Sequence, residues 1–162
     1  MDKTNLTLDT TVNQKDPAAI RELVKKSAVF NDIEVNIAGE LAEAVLDGSD
    51  TSYQFIFLRD ANGAPVGYTC YGEIPLTDKR YDLYWIVVSP DYQNAGLARK
   101  LMIETNKHVV NLGGKHIYAE TSGTDLYAPA RSFYLKNNFT QVARYPNFYR
   151  DGDDKVVFVE VF

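Results

Sequence analysis

At 162 residues, with 45% hydrophobic and 24% charged residues, the chain amounts to one domain of sequence with enough apolar side chains to bury a proper core. A formal net charge of -5 and a pI near 5.0 argue against nucleic acid as a partner and suit a cationic amine. A single cysteine, Cys70, excludes an internal disulfide or a cysteine-built zinc cluster. No apolar run is long enough to span a membrane, and Met1–Asn5 lacks a signal peptide's basic-then-apolar start, so the cytoplasm is the default location.

Asn5 to Val12 alternates weakly and reads as a first strand. Asp16-Pro17 opens a helix, with Asp16 as its N-cap and proline at the first helical position, and Ile20, Leu23, Val24 and Ala28 share one face. A second helix runs from about Ile33 to Leu46, its apolar stripe made of Ile33, Ile37, Leu41, Ala44 and Val45, and Asp47-Gly48 ends it. Tyr53–Leu58 and Val66–Ile74 are strands joined by the turn Asp60-Ala61-Asn62-Gly63. Pro75–Lys79 is a polar turn. Tyr81–Val88 is aromatic and β-branched with one charge, Asp82, and reads as a buried central strand that Pro90 stops. From Leu97 a helix carries Leu101, Glu104, Thr105 and His108 at helical spacing, and Gly113-Gly114 closes it. Lys115–Glu120 is a strand, Ser122–Pro129 a loop and Ala130–Asn137 a short helix. Thr140–Arg144 and Lys155–Val161 are the last strands, joined across Pro146 and Asp151-Gly152-Asp153. No repeat or linker interrupts this order, so residues 1–162 read as a single domain. Its β-α-β unit from Tyr81 to Glu120 is a right-handed parallel crossover.

The loop Gln93-Asn94-Ala95-Gly96-Leu97-Ala98 puts small residues at a helix start, where N–H groups lack partners and the helix dipole is positive. That combination suits phosphate, and Arg99 and Lys100 add charge of the right sign. The loop lacks the G-K-[ST] of a Walker element and is no G-x-G-x-x-G. It resembles the Q/R-x-x-G-x-G/A element of GNAT-type N-acetyltransferases, with Gln93, Gly96 and Ala98 matching. Tyr127 to Phe139 resembles the second GNAT signature, N-x-x-A-x-x-F-Y-x-x-x-G-F. Ala130, Phe133, Tyr134 and Phe139 match in register, while Tyr127 replaces the usual Asn and Asn138 the usual Gly. Asn tolerates a left-handed helix end, so the second change is mild; the first removes a side-chain amide that contacts the cofactor in that family.

The resemblance covers nearly the whole chain. It implies an α/β fold: a mixed, mostly antiparallel seven-stranded sheet with about four helices and a splayed central parallel pair. It implies an acyltransferase that moves an acetyl group from acetyl-CoA to a primary amine of a small molecule, directly and without a metal. The pyrophosphate would be held by Gln93, Asn94, Ala95, Gly96, Leu97, Ala98 and Arg99, and the pantetheine and oxyanion by main-chain groups of Ile86, Val87 and Val88. Tyr127 and Tyr134 would also touch the cofactor. The chemistry needs a proton acceptor for the amine, a donor for the thioester oxygen and a proton for the leaving thiolate. By resemblance Tyr134 is the acid, since a phenol near pKa 10 is protonated at neutral pH. For the base, the family position falls on Asp82. Glu120, at the end of the next strand, is a second candidate and Glu73 a weaker third. Strand alternation places Asp82, Tyr84 and Ile86 on one face and Leu83, Trp85 and Val87 on the other. His108 and His116 lack metal-ligand spacing, and Cys70 reads as a small core residue.

The rival readings are a non-catalytic sensor of acyl-CoA with the same fold, which the change at Tyr127 favours, and acetylation of a protein or peptide amine. Homodimers, common in that family, are an open option. The aromatic, acidic stretch from Tyr145 to Lys155 reads equally as an acceptor wall or as a solvent-exposed hairpin.

Overall fold

The structure is a computed structural model that describes residues 5–92 and 96–162. Its seven strands form one sheet in the order β1-β2-β3-β4-β5-β7-β6. In chain order the strands are β1 (Thr7–Asp9), β2 (Gln54–Arg59), β3 (Pro65–Glu73), β4 (Arg80–Val88), β5 (His116–Ser122), β6 (Thr140–Arg150) and β7 (Asp153–Val161). The helices are α1 (Asp16–Lys26), α2 (Asp32–Asp47), α3 (Leu97–Asn111) and α4 (Ala128–Lys136). β4 and β5 run parallel, from Arg80↔His116 to Leu83↔Ala119, and the other neighbours run antiparallel. That parallel ladder ends before either strand does. Internal contacts divide the chain into two compact units, Met1–Gly72 with Trp85–Thr105 and Glu73–Tyr84 with Asn106–Phe162.

In the first unit, α1 and α2 cover a sheet face built from Phe55, Phe57, Tyr68 and Cys70, with Ile20, Leu23, Val24, Val35, Ala38 and Ala42 completing the core. Among the described residues its one deeply buried cation is Arg59, and its pairing with Asp16 overturns the capping role given to that residue. Lys15 holds the N-cap position, and the buried Asp16 carboxylate instead receives two Arg59 bonds, at 2.8 and 2.9 Å. Arg59 also donates to Asp9 at 2.7 Å and to the Thr11 and Gly63 carbonyls, tying β1 and the β2–β3 turn to α1. β1 is shorter than the sequence suggests, three residues rather than eight.

The face of α2 differs from expectation in part, since Leu41 and Val45 of the expected stripe do pack against the core. Ile33 and Ile37 are 72% and 42% exposed, while Val35, Ala38, Gly39 and Ala42 are buried. α2 begins with a capping box in which Asn31 and Glu34 satisfy each other's backbone N–H. α3 is fastened to β3 by a buried bond between the Thr105 and Thr69 hydroxyls at 2.8 Å.

In the second unit, cross-strand partners set two faces. Tyr81, Leu83, Ile117, Ala119, Val156 and Phe158 turn to the buried side. Asp82, Tyr84, Tyr118, Glu120 and Val157 turn to the other, which is half-buried or exposed. α4 starts two residues earlier than the sequence indicates, after a 3₁₀ turn at Asp125–Tyr127. β6 does not stop at Arg144 but runs through Pro146 to Arg150, with its pairing to β7 shifting between Tyr145 and Arg150.

Candidate active site

In the first unit, β4 brings Trp85 against Phe30, with ring centroids 4.9 Å apart, and buries Val87 in the core; Ile86 and Val88 are half-buried. A Cβ on Gly67 would lie 3.1 Å from the Val87 carbonyl oxygen and 3.3 Å from Leu101, so glycine at this point lets β3 lie close against β4 and α3. Ser89 N–H continues the ladder to Val66 O at 2.8 Å, and a 3₁₀ turn at Pro90–Tyr92 follows, anchored by buried Tyr92 and by an Asp91–Lys26 ion pair. Gln93, Asn94 and Ala95 lie outside the described residues. Gly96 has φ +69, a left-handed conformation that glycine adopts without strain, and open space where a Cβ would stand. The first α3 hydrogen bond after it is Lys100 N–H to Gly96 O at 3.0 Å, so the amides of Leu97, Ala98 and Arg99 precede the helical ladder. Arg99 and Lys100 are exposed beside them. Open space, early amides, a positive helix end and two cations fit a diphosphate.

In the second unit, the open sheet face forms a groove of about 650 Å³ lined by Ile74, Asp78, Arg80, Asp82, Tyr118 and Glu120, among others. Two sequence candidates for the base thus share one groove. Asp82 is directly opposite Tyr118 in the parallel ladder, and Glu120 is two residues further along β5. Burial, reinforced by the Glu120 charge, pushes the Asp82 carboxyl up to about 6, and Lys155 opposes the shift. Glu120 pairs with Lys155 at 2.9 Å. Glu73 is held instead by Lys79 at 2.9 Å on an exposed edge.

Tyr134 is buried on α4 among Phe133, Phe139 and Phe158, with ring centroids 5.2 to 5.7 Å away, and burial pushes its phenol well above the usual tyrosine range. Asn138 has φ +69, the left-handed helix end that the usual glycine would supply. Tyr127 is half-buried at the N-cap of α4, and Arg131 fixes the preceding loop by donating to the carbonyls of Ser122 and Thr124 at 2.8 and 2.7 Å. Cys70 is buried and its thiol is raised far above the ordinary range, which leaves no thiolate for a covalent route.

The sequence alone does not single out Asp78 and Tyr118 in the groove, and it places Lys155 only at the end of the Tyr145–Lys155 stretch. The β5–β7 register is what brings Lys155 to Glu120. Among the described residues, no helix is long and apolar enough to cross a membrane and no His, Cys, Asp and Glu cluster could hold a metal ion.

Residues 19–139 match the model of the acetyltransferase (GNAT) family. No curated protein matches the chain. Among solved structures, a chain from Desulfovibrio desulfuricans assigned to the GNAT family is 36% identical, with TM-score 0.93 over 97% of this chain and 99% of that one. The ribosomal-protein-S18-alanine N-acetyltransferase of Escherichia coli is 18% identical, with TM-score 0.75 over 97% and 94%. A Salmonella typhimurium protein solved with its cofactor acetyl-CoA is 19% identical, with TM-score 0.74 over 98% and 94%. At such identities the last two speak to the fold alone.

Proposed function

Because the chain belongs to the GNAT acetyltransferase family, we propose that it moves an acetyl group from acetyl-CoA directly to the primary amine of a small molecule. The observation that carries this reading is Asp82, a half-buried carboxylate on an open sheet face whose affinity for a proton is raised toward neutrality. A base acts best when its pKa lies near the working pH, and Asp82 is closer to that condition than an ordinary carboxylate. Acetyl-CoA, when bound, supplies the acetyl group and a thiolate that must leave. For its diphosphate, the reading assigns the early amides of Leu97, Ala98 and Arg99 with Gly96; Gln93, Asn94 and Ala95 precede them in sequence. Main-chain groups of Ile86, Val87 and Val88 are assigned to the pantetheine arm, and Tyr127 to a flanking contact.

Asp82 takes the proton of the ammonium, which frees the nitrogen lone pair to attack the thioester carbon. Tyr134, kept protonated by burial, holds the proton that the thiolate needs. Glu120 lines the groove beside Asp82, where its charge adds to burial in raising that carboxyl's affinity for a proton.

Release of free thiol from acetyl-CoA across a panel of small primary amines tests the reading. Turnover is expected with at least one of them. It should fall as pH drops through about 6, because a protonated Asp82 can accept nothing, and Asp82→Asn should lower kcat roughly a hundredfold or more. Tight binding of acetyl-CoA with no thiol released by any small amine or amine-bearing peptide would favour the sensor. Turnover confined to peptides would move the acceptor to a protein.

A further inference from the structure

Beside Asp82 the groove holds two more carboxylates, Asp78 and Glu120, where amine deprotonation needs one; Asp78 is paired with Arg80 and Lys115, and β7 carries the group that pairs with Glu120. Cross-strand partners on β5 and β7 are Glu120↔Val157 and Ser122↔Lys155, so Lys155 rises on the same face as Glu120. Its ammonium lies 2.9 Å from a Glu120 carboxylate oxygen, 4.4 Å from the centroid of the Phe148 ring and 5.8 Å from that of Tyr145. The side chain is 16% exposed, little for a lysine. Two aromatic faces and one carboxylate therefore fix this cation in place, and partial desolvation strengthens both contacts.

The other charges around Asp82 are already engaged. Arg80, two residues away on β4, and Lys115 both reach Asp78 in the β3–β4 turn. His116 is stacked on Tyr118, whose ring centroid is 6.2 Å away. Tyr84 shares the face of Asp82. The cation that acts on Asp82 is Lys155, and the anion that acts on it is Glu120.

We propose that Lys155 is a positioning residue that divides the labour between Glu120 and Asp82, holding Glu120 as its fixed counter-ion and leaving Asp82 as the sole proton acceptor. The inference rests on the reading of Asp82 as the base. Without the ammonium, the Glu120 charge would act on Asp82 unopposed, and the amine would face a carboxyl that holds its proton more tightly. The aromatic rings of β6 take part by keeping the ammonium over Glu120; they touch no reacting atom.

Titration of the aspartate side-chain carboxyl by carbon-13 NMR, in the full chain, needs no acceptor; Asp82→Asn assigns the signal. The wild-type midpoint should fall near 6. Lys155→Met, which keeps the apolar stem, should raise it, since the opposing cation is gone and the like charge of Glu120 remains. Lys155→Arg should restore it. Glu120→Gln should lower it, since the like charge is gone and the cation remains; this variant keeps the test alive if Lys155→Met fails to fold. A midpoint unmoved in folded Lys155→Met, or unmoved in Glu120→Gln, overturns the inference. Retained turnover in Asp82→Asn is a different failure, because it removes the base itself whatever Lys155 does.

Discussion

Burial raises the proton affinity of Cys70, Tyr134 and Asp82, with different chemical consequences. At Cys70 it silences a nucleophile, because only the thiolate reacts. At Tyr134 it guarantees that a proton is present, which a general acid requires. At Asp82 the burial is partial, and the result is a group that changes charge near pH 6. At Tyr134 a single atom separates the anchoring of α4 from the proposed role as acid. Tyr134→Phe keeps the ring among Phe133, Phe139 and Phe158 and removes the hydroxyl. If the phenol protonates the thiolate, kcat should fall roughly a hundredfold while acetyl-CoA affinity changes little, the signature of an interaction made in the transition state. Equal kcat in steady-state assays would remove the acid role and leave the anchor. Residue types of this kind could be read from the sequence because their motif fixes their spacing. Lys155 could not, because its partner Glu120 is far away in sequence and only strand register joins them.

Elements were legible where local chemistry decides and misread where packing decides. The helix after the central strand, its glycine stop and the Asp60–Gly63 turn follow from backbone preferences, and they stand as expected. α2 carries two apolar stripes with the same period. The one that is buried is the small-residue stripe Ala38, Gly39 and Ala42. A Cβ at Gly39 would lie 2.4 Å from the Arg21 side chain of α1, which lies over this small-residue face, while Ile33 and Ile37 stay outside. Periodicity alone cannot make that choice. Pro146 lies inside β6, where the sequence suggests a connection; proline cannot donate to a ladder, and on an edge strand that donor is not needed. Asn147, with φ +54, absorbs the irregularity, donating to Asp154 at 2.9 Å and accepting from Gly152 at 2.7 Å. The first helix, misread at its cap, yields the prediction at this scale. Asp16 fastens α1 to β2 through Arg59, so Asp16→Ala leaves a buried guanidinium short of its bidentate partner. Loss of one half of a buried pair costs roughly 3–5 kcal/mol. The low end is expected, since Asp9 still holds Arg59 at 2.7 Å. Urea unfolding measures it, and a change within about 0.5 kcal/mol, as for an ordinary surface site, would mean the pair holds nothing.

For the molecule as a whole, the diphosphate reading makes stability depend on ligand concentration. A ligand that binds the folded chain and not the unfolded one, present at about a hundred times its dissociation constant, adds roughly 2.7 kcal/mol. For a chain of this size that raises Tm by roughly 5 to 11 °C. The gain should depend on Gly96, whose left-handed φ also penalises most replacements, so the loss of a helix-end site must be separated from plain strain. Asn and Asp both tolerate that conformation, occupy the same open space and differ in charge. Gly96→Asn should therefore melt near Gly96→Asp when no ligand is present and should keep part of the acetyl-CoA shift. Gly96→Asp sets a carboxylate against the diphosphate at the positive end of α3 and should lose the shift altogether. A full shift in Gly96→Asp would place the diphosphate away from the start of α3, whereas equal losses in both variants would assign the effect to the side chain's bulk and not to its charge.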